Sequence, residues 1–167
     1  MAPLKIGVIG FRNNGKGHAK TIATSPNTEL VAVADLQEDR QKEARDSFHL
    51  KQVYGDYKDL IRDSDADAVV VSLPVPLHAP ATIAALEAGK HVLCEKPPAA
   101  TAEEAGRMVA LAKAKGLVLT WGLQRRFLPE MHAARELARQ GAFGRIYRIN
   151  GRYTLTRSAL MYTDAFR

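Results

Sequence analysis

Apolar residues recur along the chain in short dense runs, separated by longer amphipathic stretches. Leu4 to Ile9, Glu29 to Asp35, Val53–Tyr54, Ala68 to Leu73, His91 to Cys94 and Leu117 to Trp121 read as six strands. Several are apolar at nearly every position and rich in β-branched residues, the pattern of strands buried on both faces. Between them, Asn14 to Thr24, Asp39 to Phe48, Tyr57 to Arg62, His78 to Ala88 and the stretch from Thr101 to Lys115 read as helices. Ala44 and Phe48 fall on one helical face. Gly89 is a helix stop, and Thr101 with Glu104 is a capping-box start. Parallel neighbours need a helical return, so the alternation predicts an α/β fold with a doubly wound parallel sheet. Ligands in such sheets bind beyond the carboxyl ends of the strands.

The rhythm changes after Trp121. Pro129 to Gln140 reads as a helix stopped by Gly141, and Arg145 to Thr156 alternates with a period of two. That period predicts a half-buried strand of an antiparallel sheet. The expected organisation is one domain over 1–122 and the beginning of an α+β domain, incomplete, over 123–167. A single strand cannot make a sheet. Its unpaired edges, with Tyr147, Ile149 and Tyr153 on one face, predict self-association of the chain as a homo-oligomer.

Composition narrows the class. The chain has 167 residues, 46% hydrophobic and 25% charged, which is ordinary globular usage and excludes global disorder. No apolar run approaches the roughly 20 residues of a membrane span, so no membrane partner is expected. Cys94 is the single cysteine, which excludes an internal disulfide framework and a cysteine-rich zinc site. The few residues before the first strand are too short for a signal peptide, so a cytoplasmic location is expected. The net charge of +6 arises in 123–167, where nine arginines face three acidic residues. No recognition helix or aromatic-interleaved basic motif accompanies them, so no nucleic-acid partner is expected.

Candidate chemistry gathers just after the strands. Gly10-Phe11-Arg12-Asn13-Asn14-Gly15 closes the first strand and opens the first helix. Glycine there permits a tight turn and close approach to a diphosphate, which a helix N-terminus attracts. Gly10, Phe11, Arg12, Asn13 and Gly15 are thus candidate cofactor contacts. Arg12 stands where a middle glycine is usual; its Cβ crowds the site, while its guanidinium could pair with a diphosphate. Asp35 ends the second strand, 20 residues past Gly15. A dinucleotide fold places there the carboxylate that accepts from the ribose hydroxyls. Leu36 and Gln37 follow it, with no adjacent arginine for a 2′-phosphate, so NAD is expected over NADP. Leu73, Pro74 and His78 follow the fourth strand. The prolines force a rigid exit, and His78 either touches a ligand or opens the next helix. Glu95-Lys96-Pro97 follows the fifth strand. Lys96 could exchange a substrate proton there, or be a solvent-facing loop lysine.

These segments together resemble the Gfo/Idh/MocA oxidoreductase family. The resemblance rests on Gly7-Val8-Ile9-Gly10, Ala34-Asp35, Leu73-Pro74 with His78-Ala79-Pro80, Gly89-Lys90-His91-Val92-Leu93-Cys94-Glu95-Lys96-Pro97, and Gly122 with Arg125-Arg126-Phe127 and Pro129. It implies a Rossmann domain followed by a second α/β domain. It also implies hydride transfer between NAD(P) and a hydroxyl-bearing carbon of a sugar or cyclitol. Lys96 would then lie beside the nicotinamide and the reacting hydroxyl as the catalytic residue. Pro74 and His78 would line the nicotinamide side, Glu95 would help hold the lysine loop, and Arg126 is a further expected contact. Three departures stand out. Arg12 replaces a glycine. Leu73 and Val75 stand where threonine and asparagine are common. The family's downstream acid–base aspartate and histidine find no counterpart, so the alternative expectation is a truncated module that binds NAD without turnover.

Overall fold

The computed structural model describes residues 2–152 and 154. Six strands alternate with helices: β1 (Leu4–Ile9), α1 (Asn13–Thr24), β2 (Thr28–Ala34), α2 (Glu38–Phe48), β3 (Gln52–Tyr54), α3 (Tyr57–Asp63), β4 (Ala68–Val71), α4 (His78–Glu87), β5 (His91–Cys94), α5 (Ala102–Ala114) and β6 (Leu119–Trp121). The strand order is β3-β2-β1-β4-β5-β6, and every neighbouring pair is parallel. The expected doubly wound α/β sheet is therefore present. The chain divides into two compact units, Met1–Leu123 and Gln124–Arg167.

The alternation of side chains within each strand builds two cores. Ile9, Ala32, Ala34, Val69, Val71, Val92 and Cys94 point to the face covered by α3, α4 and α5, with Leu60, Leu86 and Met108 from those helices. Val8, Val33 and Val70 point the other way and meet Ala19 and Ile22 of α1 and Ala44 of α2. Residues one apart thus serve opposite faces, which is why these strands read as continuous apolar runs.

Beyond the strand ends the ladder continues for one more residue. Gly10 N–H donates to the Ala34 carbonyl (2.8 Å), Ser72 to Ile9 (2.8 Å), Glu95 to Val71 (2.9 Å) and Gly122 to Cys94 (2.8 Å). The loops after β1, β4, β5 and β6 therefore leave the sheet in fixed register. Because β1 and β4 are parallel neighbours whose following helices, α1 and α4, lie on opposite faces, the crevice of the doubly wound sheet opens between them. β4 ends at Val71, two residues before the sequence pattern ends. Pro74 and Pro76 take the chain into a short 3₁₀ turn at Val75–Leu77, since proline cannot continue the ladder.

The second unit contains a 3₁₀ turn at Gln124–Phe127 and α6 (Pro129–Arg139). The strand expected over Arg145 to Thr156 is a correction: residues 145–152 form no strand and are exposed. Tyr153 and residues 155–156 of that stretch lie outside the described residues. An alternating pattern becomes a strand when a neighbour supplies ladder bonds, and no antiparallel neighbour exists among the described residues. Among the described residues no helix is long and apolar enough to cross a membrane.

Two substitutions measure how the first unit, Met1–Leu123, is held. Leu60 is fully buried, and Leu60→Ala is expected to cost about 2–5 kcal/mol in urea unfolding. Thr101 caps α5, accepting from the Glu104 N–H (3.2 Å) while the Glu104 carboxylate accepts from the Thr101 N–H (3.2 Å). Thr101→Ala is expected to cost about 1 kcal/mol. Equal losses from the two would contradict the assignment of Leu60 to the core.

Candidate cofactor site at the carboxyl ends of the strands

The site begins where β1 turns into α1. Gly10 adopts φ +89°, a left-handed conformation that costs glycine little. A Cβ on Gly10 would overlap the Ser72 carbonyl, and a Cβ on Gly15 would overlap the Gly10 carbonyl oxygen. The first glycine lets the turn lie against β4, and the second lets α1 pack directly onto the turn. The N-terminus of α1 has no side-chain cap and no acidic residue in its first turn. Its amide ends and its dipole therefore favour an anion such as a diphosphate. Arg12 occupies the cap position, with Asn13 next to it, and both are exposed.

Phe11 departs from the expected role. Its ring is buried in the core, edge-on to Phe48 with centroids 6.1 Å apart. Its backbone N–H donates to Asp35 Oδ2 (2.8 Å). The residue after Gly10 points inward because the turn rolls it beneath α1, so Phe11 supports the site rather than lining it.

Asp35 is 8% exposed and closes the far side of the turn. Its Oδ1 accepts from the Gln37 N–H (3.0 Å) and lies 3.4 Å from Arg40 Nη1. The carboxylate thus latches the glycine turn to the end of β2 and keeps acceptor capacity for a ribose hydroxyl. Sequence adjacency concealed Arg40. One turn into α2, it comes back to Asp35 because residues that far along a helix return to the same side.

His78 also differs from one expectation. It is 1% exposed, with Nδ1 2.8 Å from the Pro97 carbonyl oxygen and Nε2 2.7 Å from the Leu73 carbonyl oxygen. Both ring nitrogens are engaged with the backbone, so His78 offers no polar atom to a cofactor. It ties the loop after β4 to the loop after β5 instead. Leu73 reaches towards Gly10, its Cδ2 lying 3.2 Å from where a Gly10 Cβ would be. Pro74 is exposed on that loop.

Lys96 is exposed on the loop after β5. Its backbone N–H donates to Glu95 Oε2 (3.1 Å), and Glu95 Oε1 pairs with His18 Nε2 of α1 (2.8 Å). Gly122, after β6, makes room for that carboxylate: a Cβ there would lie 3.1 Å from Glu95. His18 carried no functional signal in the sequence, and Gly122 entered only as part of the resemblance. Cys94 is buried, and burial pushes its thiol up to about 11, which makes it a packing residue rather than a nucleophile. Arg126 belongs to the second unit, where its carbonyl accepts from Arg135 Nη2 (3.0 Å).

The glycine cradle, the free helix end and the Asp35 carboxylate fit a dinucleotide, and comparison with known proteins agrees. An oxidoreductase family with an NAD-binding Rossmann fold matches residues 4–123. The dTDP-3,4-didehydro-2,6-dideoxy-alpha-D-glucose 3-reductase of Streptomyces violaceoruber is 38% identical over 153 residues, covering 91% of this chain and 44% of the relative. The structure of scyllo-inositol dehydrogenase from Lactobacillus casei with NAD(H) and scyllo-inositol superposes with a TM-score of 0.80 at 30% identity. That match covers 85% of this chain and 42% of the other. A 3-ketoreductase from Actinomadura kijaniata, in complex with TDP-benzene and NADP, gives a TM-score of 0.77 at 33% identity, covering 86% and 46%. The chain spans less than half the length of these relatives. With its glycine turn, strand-end carboxylate and Glu-Lys-Pro loop on one edge of a parallel sheet, the chain belongs to the Gfo/Idh/MocA family of oxidoreductases.

Proposed function

We propose that the chain binds NAD and supplies the catalytic lysine of a dehydrogenase acting on a hydroxyl-bearing carbon of a sugar or cyclitol. The observation that carries this reading is the placement of Lys96. It stands exposed at the end of β5, next to the β1–β4 crevice and on a loop anchored from two sides. The relatives' named substrates, a deoxysugar nucleotide and an inositol, support the substrate class. A nucleotide-dependent reaction also fits a cytoplasmic setting.

The nicotinamide, when bound, takes or gives the hydride. The protein's own residues do the rest. Gly10 and Gly15 admit the diphosphate to the end of α1, and Arg12 and Asn13 border it. Asp35 accepts from the adenosine ribose. Leu73 and Pro74 form the wall of the crevice that the His78 clamp fixes. Lys96 Nζ exchanges a proton with the substrate hydroxyl as its carbon changes oxidation state, so no alkoxide is left uncompensated. On resemblance alone, Arg126 is a further expected cofactor contact.

The preference for NAD rests on Asp35, whose carboxylate repels a 2′-phosphate. Arg40 opposes it, since the guanidinium 3.4 Å away could receive that phosphate. Relatives with NAD(H) and with NADP both exist.

Calorimetric titration with both cofactors tests the choice. NAD is expected to bind more tightly than NADP, and Asp35→Ala to weaken NAD about tenfold or more, the scale of a lost hydrogen bond to a charged group. Equal or tighter NADP binding would assign the adenosine end to Arg40. For the chemistry, a polyol panel with NAD is the assay. With the substrate domain complete, Lys96→Ala is expected to lower kcat by about 100-fold or more and to leave NAD affinity within about twofold. Turnover that survives the substitution would remove Lys96 from proton transfer.

A further inference from the structure

Helix α1 reaches the reaction side of the crevice twice. Its N-terminus abuts the glycine turn, and its second turn carries His18. The His18 ring lies 2.8 Å from Glu95 Oε1 through Nε2, and the other oxygen of the same carboxylate accepts from the Lys96 N–H at 3.1 Å. Glu95 is 8% exposed, and a carboxylate so buried needs hydrogen-bond donors. An ionised carboxylate accepts only, so the His18 contact requires a hydrogen on Nε2. Gly122 closes the space behind, since a Cβ there would sit 3.1 Å from the carboxylate. The Glu95 side chain is therefore wedged between α1, its own loop and the end of β6. Its orientation sets where the backbone of Lys96 lies.

We infer that His18 is a positioning residue for Lys96: its Nε2–H holds Glu95, and Glu95 holds the Lys96 amide. One helix then seats the diphosphate at its end and fixes the lysine loop from its side. This rests on the reading of Lys96 as the proton-transfer residue. His18 touches neither cofactor nor substrate in this scheme. Removing it leaves the Glu95 carboxylate with one donor fewer and lets it turn towards water, and the Lys96 amide follows. Small displacements of a reacting group are costly because the effective concentration it provides depends on alignment.

Nuclear magnetic resonance on the isotope-labelled chain tests the link without turnover. In the wild-type protein at pH 8, long-range proton–nitrogen spectra of His18 are expected to show hydrogen on Nε2 and a bare Nδ1. The opposite tautomer would overturn the inference, and this measurement needs no variant to fold. In His18→Phe the Lys96 amide resonance is expected to leave its wild-type position, and in His18→Gln, which keeps a donor, to return towards it. Amides of β2 and β3 report that both variants keep the fold. An unmoved Lys96 amide in a folded His18→Phe would overturn the inference. In the polyol assay, His18→Phe is expected to lower kcat about tenfold, with KM for NAD within about twofold and recovery in His18→Gln. A loss confined to KM would assign His18 to cofactor binding instead. Lys96→Ala with full turnover would remove the proton-transfer reading, while the tautomer and amide shifts would still report whether His18 holds the loop.

Discussion

The close approach of α1 to the end of β1 governs the arrangement of the crevice. Gly15 lies so near the Gly10 carbonyl that any side chain at 15 would overlap it. Gly10 in turn lies against the Ser72 carbonyl of the next loop. With both positions reduced to backbone, the helix starts immediately after the strand and aims its unpaired amides into the crevice. The same approach rolls Phe11 into the core, offers its N–H to Asp35, and brings His18 within reach of Glu95. A side chain at Gly15 would push the helix away and strain all three contacts together, and one at Gly10 would press on the loop after β4.

Buried polar groups do the remaining fixing. Asp35, His78 and Glu95 are each at least nine-tenths buried; the first two bind backbone atoms of neighbouring loops, and Glu95 binds the next residue's amide and the His18 ring of α1. Asp35 joins the glycine turn to β2. His78 joins the loop after β4 to the loop after β5, and Glu95 with His18 joins that loop to α1. A buried polar group with partners is directional in a way that apolar packing is not. The three groups therefore hold loops that have no ladder of their own, and Lys96 can be exposed and yet well placed.

Under the proposed reading, cofactor choice is a balance of opposite charges at the end of β2. Asp35 favours a ribose diol and opposes a 2′-phosphate; Arg40 beside it does the reverse. In this structure the two are partnered with each other. The carboxylate also accepts from the Phe11 and Gln37 amides, which hold it in place whether or not Arg40 moves.

The sequence by itself determined the strands, the helices and the edge of the sheet on which chemistry is placed. Local patterns suffice for that, because strands buried on both faces read as apolar runs and each crossover carries its own start and stop, as at Thr101 and Gly89. Gly10 and Gly15 were legible as a tight turn, and Asp35 and Lys96 as residues just past strand ends, because local order along the chain fixes both. The tertiary structure decided what depends on neighbours far along the chain. It turned Phe11 inward and engaged both nitrogens of His78 with carbonyls, since burial is set by what packs above a residue and not by its own type. It brought His18 and Gly122 to Glu95, across separations of up to 77 residues that no local pattern encodes. It also left 145–152 out of any sheet. A period of two records only that alternate side chains differ; a strand exists where another strand accepts its hydrogen bonds.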